Sequence, residues 1–280
     1  MKYKIEKSAA WTLLAQFLFL LFCSADCLAG DGDGEPVMEN AATVFQRGFN
    51  TVKDDYLEFY SRKRLLRMLA ATGAGALMAN THIDQEIQDW YQHDARSSAT
   101  DDLASVTKQF GEYKYVVPLL LVSGLAGHYL GESYDGAKGV GAWGLRSMRA
   151  YLVGFPLQIT AQYLTGASRP VENRGSDWRP FKDNNGVSGH AFIGAVPFLT
   201  LARMNDDNPY LKYFFYAAST LTGLSRINDN AHYFSQAVLG WYIAWEATGA
   251  VADRDREERR VSVGPALMGD TWGIEAAVNW

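Results

Sequence analysis

The chain has 280 residues, of which 48% are hydrophobic and 20% are charged, and its formal net charge is −5. This length suits one domain of about 200–250 residues with tails. The charge balance excludes an extended nucleic-acid interface, which requires a basic face.

The first 29 residues have the pattern of an export signal. Lysines within the first seven positions precede an apolar run at residues 11–22, and Cys27-Leu28-Ala29 resembles a cleavage site. Cleavage after Ala25 and an uncleaved membrane anchor stay open as alternatives. Cleavage after residue 29 would remove Cys23 and Cys27, the two cysteines of the sequence. The mature protein would then contain no disulfide, thiolate metal site or cysteine nucleophile.

Residues 30–50 are expected to form a flexible N-terminal tail, followed by a helical domain over residues 51–252. Strand-like alternation is missing from this domain, and the sequence therefore predicts an all-α fold, a helical bundle. The helices are expected at residues 51–80, 84–92, 114–131, 141–165, 189–204, 209–226 and 232–251.

A membrane span needs roughly 20 mostly apolar residues, and Ala150 to Ser168 is the run of that length that carries no charge. We favour a periplasmic or membrane-apposed bundle, while an integral membrane protein stays open.

The composition changes in the predicted C-terminal tail, residues 253–280. Arg254 to Arg260 is a charged run that is expected to end the last helix. Residues 261–263 and 274–278 flank Gly269-Asp270, which indicates a short β-hairpin.

Three polar stretches lie at the ends of apolar segments. Arginine matches phosphate oxygens with a planar fork, and a helix N-terminus offers free N–H groups to an anion. Histidine transfers protons near neutral pH and can attack phosphorus. Each residue also has an ordinary interpretation as a helix cap, core histidine or surface ion-pair partner. The stretches are Gly166-Ala167-Ser168-Arg169-Pro170, Val187-Ser188-Gly189-His190, and Ser225 to Ser235.

The order and spacing of these stretches resemble the type-2 phosphatidic acid phosphatase and vanadium haloperoxidase superfamily. That family has a lysine separated by six residues from Arg-Pro, and then Pro-Ser-Gly-His. Its third motif is Ser-Arg, five residues, a histidine, three residues and an aspartate. The matching residues here are Arg169-Pro170, Ser188-Gly189-His190, Ser225-Arg226 and His232.

The resemblance implies a phosphatase with the helical bundle of that superfamily. His232 would attack phosphorus to form a phosphohistidine, and His190 would protonate the leaving group. No metal or cofactor is implied, and vanadate is expected to inhibit. The phosphate would be held by Arg169, Ser188, Gly189 and Arg226.

Three positions depart from the family pattern: Gln162 replaces the lysine, Val187 the proline and Gln236 the aspartate. Gln162 can bind phosphate through hydrogen bonds but supplies no charge. Gln236 can accept a hydrogen bond from His232 and fix its tautomer, but it stabilises an imidazolium less than a carboxylate does. Lys182 and Asp229 are candidate replacements for the missing charges.

The expected substrate is a phosphate monoester or diphosphate, lipid-linked as in phosphatidate or isoprenyl diphosphate, or a small phosphate ester. The membrane is a candidate partner, and nucleic acid is not. A catalytically impaired pseudo-phosphatase that binds phospholipid stays open, and so does a vanadium-dependent haloperoxidase, although Gln162 argues against the latter. The expected location is the bacterial cell envelope, either the periplasm or the inner membrane with the site facing the periplasm.

Overall fold

The computed structural model describes residues 41–268 and 271–278. Helices extend to residue 260, and an antiparallel pair of strands follows, which confirms the predicted helical bundle with a C-terminal hairpin. The predicted signal peptide and Gly269-Asp270 lie outside the described residues. The helices are α1 (Ala41–Phe59), α2 (Arg62–Ala79), α3 (Ile83–Trp90), α4 (Ser98–Thr107), α5 (Tyr113–Leu130), α6 (Asp135–Thr165), α7 (Gly189–Met204), α8 (Pro209–Ala218), α9 (Leu221–Asn228) and α10 (Phe234–Arg260), and the strands are β1 (Val261–Met268) and β2 (Thr271–Val278).

Helix α7 lies at the centre of the bundle, where it packs against α6, α8, α9 and α10. From Ala191 to Leu199 it is apolar on all sides, as expected for a helix surrounded by others. Phe192 and Leu199 of α7 are fully buried, together with Met148 of α6 and Ala247 of α10. This packing fixes the N-terminus of α7 relative to the end of α6 and the start of α10.

Two glycines allow the backbone to approach or turn beside α7. A Cβ at Gly240 would overlap the carbonyl oxygen of Ser188, so glycine lets α10 pass directly against the turn that precedes α7. Gly166 ends α6 in the left-handed conformation, with φ of 57°, a conformation that costs glycine little. The chain then turns back towards α7.

The strands β1 and β2 pair from Val261 with Val278 to Met268 with Thr271. Each strand is eight residues long, so the hairpin is longer than the segments predicted from the sequence. The last helix ends at Arg260, as expected.

The helix boundaries correct the sequence prediction at several places. Helix α6, expected from residue 141, begins at Asp135. Residues 41–50, expected in the flexible tail, are helical. The expected helices 51–80 and 209–226 are each broken, at residues 60–61 and 219–220. Helix α4 was not predicted, because its start is polar. It begins with a capping box in which Ser97 and Thr100 each bond the other's backbone N–H.

Among the described residues, no helix combines the length and the apolar character needed to cross a membrane.

Candidate active site

Gln236 joins the three polar stretches at one end of the bundle. Its side-chain Nε2 donates to the carbonyl oxygen of Ser168 at 2.9 Å. Its backbone carbonyl accepts from the N–H of Ser188, also at 2.9 Å. Its Oε1 lies 2.9 Å from Nδ1 of His232. The end of α6, the start of α7 and the start of α10 therefore meet around one fully buried side chain.

The amide of Gln236 can be oriented from its other contacts. The backbone N–H of Tyr233 donates to Oε1 at 3.2 Å, as expected for a glutamine at the third position of a helix reaching back to the N-cap. Because the other end of the amide donates to Ser168, Oε1 is the atom that faces His232. Nδ1 of His232 must then carry the hydrogen, and Nε2 is left with its lone pair.

His232 itself is almost fully buried. Burial, together with the charges of Arg169, Arg226 and His190, lowers the pKa of its ring to about 3, against the opposing effect of the Gln236 hydrogen bond. The four predicted site residues are therefore close enough to interact. The ring is therefore neutral at physiological pH, the form that can act as a nucleophile.

The Ser-Gly-His stretch begins α7 as predicted. The hydroxyl of Ser188 caps the helix by accepting from the N–H of Ala191 at 3.2 Å. The N–H groups of Gly189 and His190 lie in the first turn, where a helix has no acceptor of its own, and such groups bind anions.

Gln162 lies beside this turn, with its side-chain Nε2 donating to the carbonyl oxygen of Val187 at 2.9 Å. The contact supports the backbone before Ser188. A direct contact between Gln162 and phosphate stays a prediction.

His190 has a partner that the sequence did not reveal. Its Nε2 lies 3.3 Å from Oε1 of Glu112, at the start of α5. Burial and the charge of Arg226 lower the pKa of His190, while the Glu112 carboxylate opposes both. Glu112 therefore favours the protonated form, which a general acid requires.

The two predicted phosphate arginines are held differently. Arg226 is mostly buried, its Nη1 lies 3.4 Å from Asp229, and its Nε has no hydrogen-bond partner within the described chain. Arg169 is exposed, and its Nε donates to Asn185 at 2.8 Å. Asn185, also missed from the sequence, therefore orients Arg169, and both guanidinium groups keep donors for an anion.

The two candidate replacement charges take other positions. Asp229 pairs with Arg226 and lies 3.7 Å from Lys108, while Gln236 occupies the hydrogen-bonding position on His232. The structure thus contradicts a role for Asp229 as the residue that orients the histidine. Lys182 is exposed, and a contact between its side chain and phosphate stays a prediction.

Glu112 and Asn185 could not be found from sequence spacing. Glu112 reaches His190 because the turn before it packs on α7, where a Cβ at Gly111 would lie 2.8 Å from the His190 carbonyl oxygen. Asn185 lies in the loop before α7, and its backbone N–H donates to the Ala167 carbonyl. Both contacts depend on tertiary packing, and neither residue belongs to the three motifs.

Within residues 41–268 and 271–278, no group of three or more histidine, cysteine, aspartate or glutamate residues is arranged to hold a metal ion.

A family model described as the PAP2 superfamily matches residues 153–257. This region contains all three motifs and agrees with the resemblance seen in the sequence. No curated protein and no solved structure matches the chain.

Proposed function

Because residues 153–257 match the model of the PAP2 superfamily, whose members are generally phosphatases, we propose that this chain hydrolyses phosphate esters with His232 as nucleophile. The observation that carries the proposal is the 2.9 Å contact between Nδ1 of His232 and Oε1 of Gln236. It places the ring hydrogen on Nδ1, so that Nε2 has a free lone pair. Arg169 and Arg226 supply positive charge next to this ring.

The reaction proceeds in two steps. In the first, Nε2 of His232 forms a bond to phosphorus as the bond to the leaving oxygen breaks, and His190 gives that oxygen a proton. In the second, water attacks phosphorus, the Nε2–P bond breaks and His190 takes up a proton from the water. The arginines and the first-turn N–H groups of α7 stabilise charge on the phosphoryl oxygens.

A lipid-linked substrate is the finer part of the proposal. It is supported by exposed apolar side chains on one face of α5, the helix that begins beside Glu112. Tyr115, Leu119 and Val122 are all more than half exposed, and their spacing places them on the same side of the helix. Such a face suits the hydrocarbon part of a phosphorylated lipid. Location in the cell envelope rests on the N-terminal sequence pattern and stays a prediction.

The test compares His232→Ala and His190→Ala on substrates with good and poor leaving groups. We expect His232→Ala to lose turnover of p-nitrophenyl phosphate, an alkyl phosphate and short-chain phosphatidate. His190→Ala should retain much of the turnover of p-nitrophenyl phosphate, whose leaving group needs little protonation, and should lose turnover of the alkyl phosphate. Wild-type turnover by purified His232→Ala would refute the nucleophile assignment.

One observation favours the pseudo-phosphatase as second candidate. Gln162 supplies no charge and already donates to Val187, and Gln236 is also neutral, so the site has fewer charges than the family pattern. Saturable binding of inorganic phosphate, with no turnover of any of the three esters, would support this candidate against the phosphatase.

A further inference from the structure

A polar cavity of about 270 Å³ lies at the other end of the bundle from His232. It is lined by the last turns of α7, Asp206 and Asp207 of the loop that follows, the C-terminal half of α10 and Arg146 of α6. Arg203 lies on its wall, 13 positions after His190 on the same helix. At a rise of about 1.5 Å per residue, Arg203 and His190 are roughly 20 Å apart along α7. The cavity is therefore distinct from the candidate active site.

Among the described residues, the hydrogen-bond partners of the Arg203 guanidinium are neutral. Its Nε donates to the hydroxyl of Thr248 at 3.1 Å, and Nη2 donates to the Trp245 carbonyl oxygen at 2.8 Å. The group also lies 4.7 Å from the centre of the Trp245 ring. Within the described chain, Nη1 has no acceptor and no carboxylate lies within 4 Å of the guanidinium. Burial lowers the pKa of Arg203, because a buried charge loses part of its hydration.

The other two arginines of the cavity wall each form an ion pair with a carboxylate. Arg146 pairs with Asp255 at 2.5 Å, and Arg256 forms an ion pair with Asp206. These two carboxylates are therefore neutralised by arginines of the wall. The third acidic residue of the lining, Asp207, is exposed and forms no ion pair with Arg203. Among the described residues, Arg203 is therefore the arginine of the wall that has no carboxylate partner.

Thr200 lies one turn before Arg203 and lines the same cavity. It is only 4% exposed, and its hydroxyl has no hydrogen-bond partner in the described part of the protein. Buried hydroxyl groups normally have a partner. A single helix face thus presents a free hydroxyl donor and an unpaired guanidinium to one cavity.

We propose that this cavity binds a phosphate-type oxyanion through Nη1 of Arg203 and the hydroxyl of Thr200. An oxyanion would satisfy both groups, because each is a hydrogen-bond donor and one carries positive charge. A water molecule occupies about 30 Å³ in the liquid, so the cavity has room for an oxyanion with a small attached group. The ligand is either free phosphate or the phosphate of a small ester.

The experiment measures binding of inorganic phosphate by calorimetry to the full chain carrying Arg169→Ala and Arg226→Ala, which weaken the candidate active site. We expect phosphate to bind this background. Adding Thr200→Val should weaken binding at least tenfold, and adding Arg203→Lys should also weaken it, because lysine lacks the planar fork. Thr220→Val, at an exposed threonine outside the cavity wall, should leave the affinity unchanged.

Two results would overturn the proposal: no phosphate binding in the background variant, or equal affinity with and without Thr200→Val. Glycerol 3-phosphate distinguishes the two ligand sources, since tighter binding than inorganic phosphate supports an ester and equal binding supports the free ion. In an otherwise wild-type chain, Thr200→Val should leave phosphatase activity unchanged. The site can therefore be confirmed or rejected even if the chain proves to have no phosphatase activity.

Discussion

Nε2 of Gln236 donates a hydrogen bond to the carbonyl oxygen of Ser168, the residue before Arg169. The residue that orients the proposed nucleophile, His232, therefore also holds the backbone next to Arg169, for which we propose a role in phosphate binding. An aspartate, the residue of the family pattern, is one methylene shorter and has no amide hydrogen to donate. Glutamine at 236 thus combines two positioning roles.

Gln236→Asp is expected to speed turnover but to weaken substrate binding. A carboxylate beside Nδ1 would stabilise the cationic phosphohistidine and raise kcat by on the order of 10-fold, or about 1.4 kcal/mol. Loss of the Ser168 contact would loosen Arg169 and raise KM. Steady-state kinetics on one phosphate ester measure both constants. Gln236→Asn is the control, because asparagine is as short as aspartate but uncharged. An unchanged KM would show that the Ser168 contact does not position Arg169.

Removal of either phosphate arginine should reduce kcat/KM by about 10- to 100-fold, since a charge-assisted hydrogen bond is worth roughly 1.5–3 kcal/mol. Asn185→Ala should cause a smaller loss, seen mainly in KM, because Asn185 would act through the orientation of Arg169. Asn184→Ala is the matched control, because Asn184 is exposed. Equal losses in the two asparagine variants would reject the orienting role of Asn185.

Glu112→Gln is expected to shift the alkaline limb of the activity profile to lower pH. The carboxylate opposes the lowering of the His190 pKa by burial and by Arg226, so its removal leaves His190 unprotonated at a lower pH. General acids contribute about 10²- to 10⁴-fold, and activity at pH 7 should therefore fall more than activity at pH 5. Profiles of kcat/KM with an alkyl phosphate measure the shift.

Lys114→Gln is the control for that variant. Lys114 lies 3.9 Å from Glu112 and is more than half exposed, so its loss should have little effect on His190. Identical pH profiles for Glu112→Gln and the wild type would contradict the role of Glu112.

The stability of the protein should decrease as the pH falls from about 6.5 towards 3. Unfolded His232 binds a proton below its ordinary pKa of 6.5, whereas the folded ring remains neutral down to its pKa of about 3. The unfolded state therefore takes up more protons in this window, and acid favours unfolding. One such group contributes at most about 1.4 kcal/mol per pH unit.

Denaturant unfolding of the wild type and of His232→Asn at several pH values isolates this contribution. The variant should show the shallower dependence of unfolding free energy on pH, because His190 titrates in both proteins. Parallel curves would mean that His232 is not buried in its neutral form.

Vanadate should inhibit hydrolysis competitively, because it adopts the five-coordinate geometry of the phosphoryl group during transfer. EDTA should have no effect, since the proposed reaction uses histidine and arginine side chains. Initial rates with each reagent test both statements. Inactivation by EDTA that is reversed by zinc or magnesium would instead indicate metal-assisted hydrolysis.

The sequence predicted the parts of the site that are encoded locally. Ser188 caps α7 because a serine before a glycine and an apolar run favours a helix start, and the spacing of Arg226 and His232 reflects a short connection between two helices. Glu112 could not be predicted in the same way. It lies 78 positions before His190, and the contact depends on packing of the turn before α5 against α7.

The helices, like the site residues, could be predicted only in part. Apolar periodicity located the long helices α6, α7 and α10, which are stabilised by burial of their side chains. It did not detect α4, whose start depends on reciprocal hydrogen bonds between Ser97 and Thr100. Nor did it detect the breaks after Phe59 and Ala218, where one helix ends and another begins within two residues.

The close approach of Gly240 to the Ser188 carbonyl has a consequence for the kinetics of ligand capture. With no side chain between them, α10 supports the turn before α7 directly, and the turn has little space in which to move. We therefore expect the first-turn N–H groups of α7, which we propose bind the phosphoryl oxygens, to be in place before a ligand arrives. Phosphate or vanadate should associate in a single bimolecular phase, with an observed rate that rises linearly with concentration and no slower isomerisation after it.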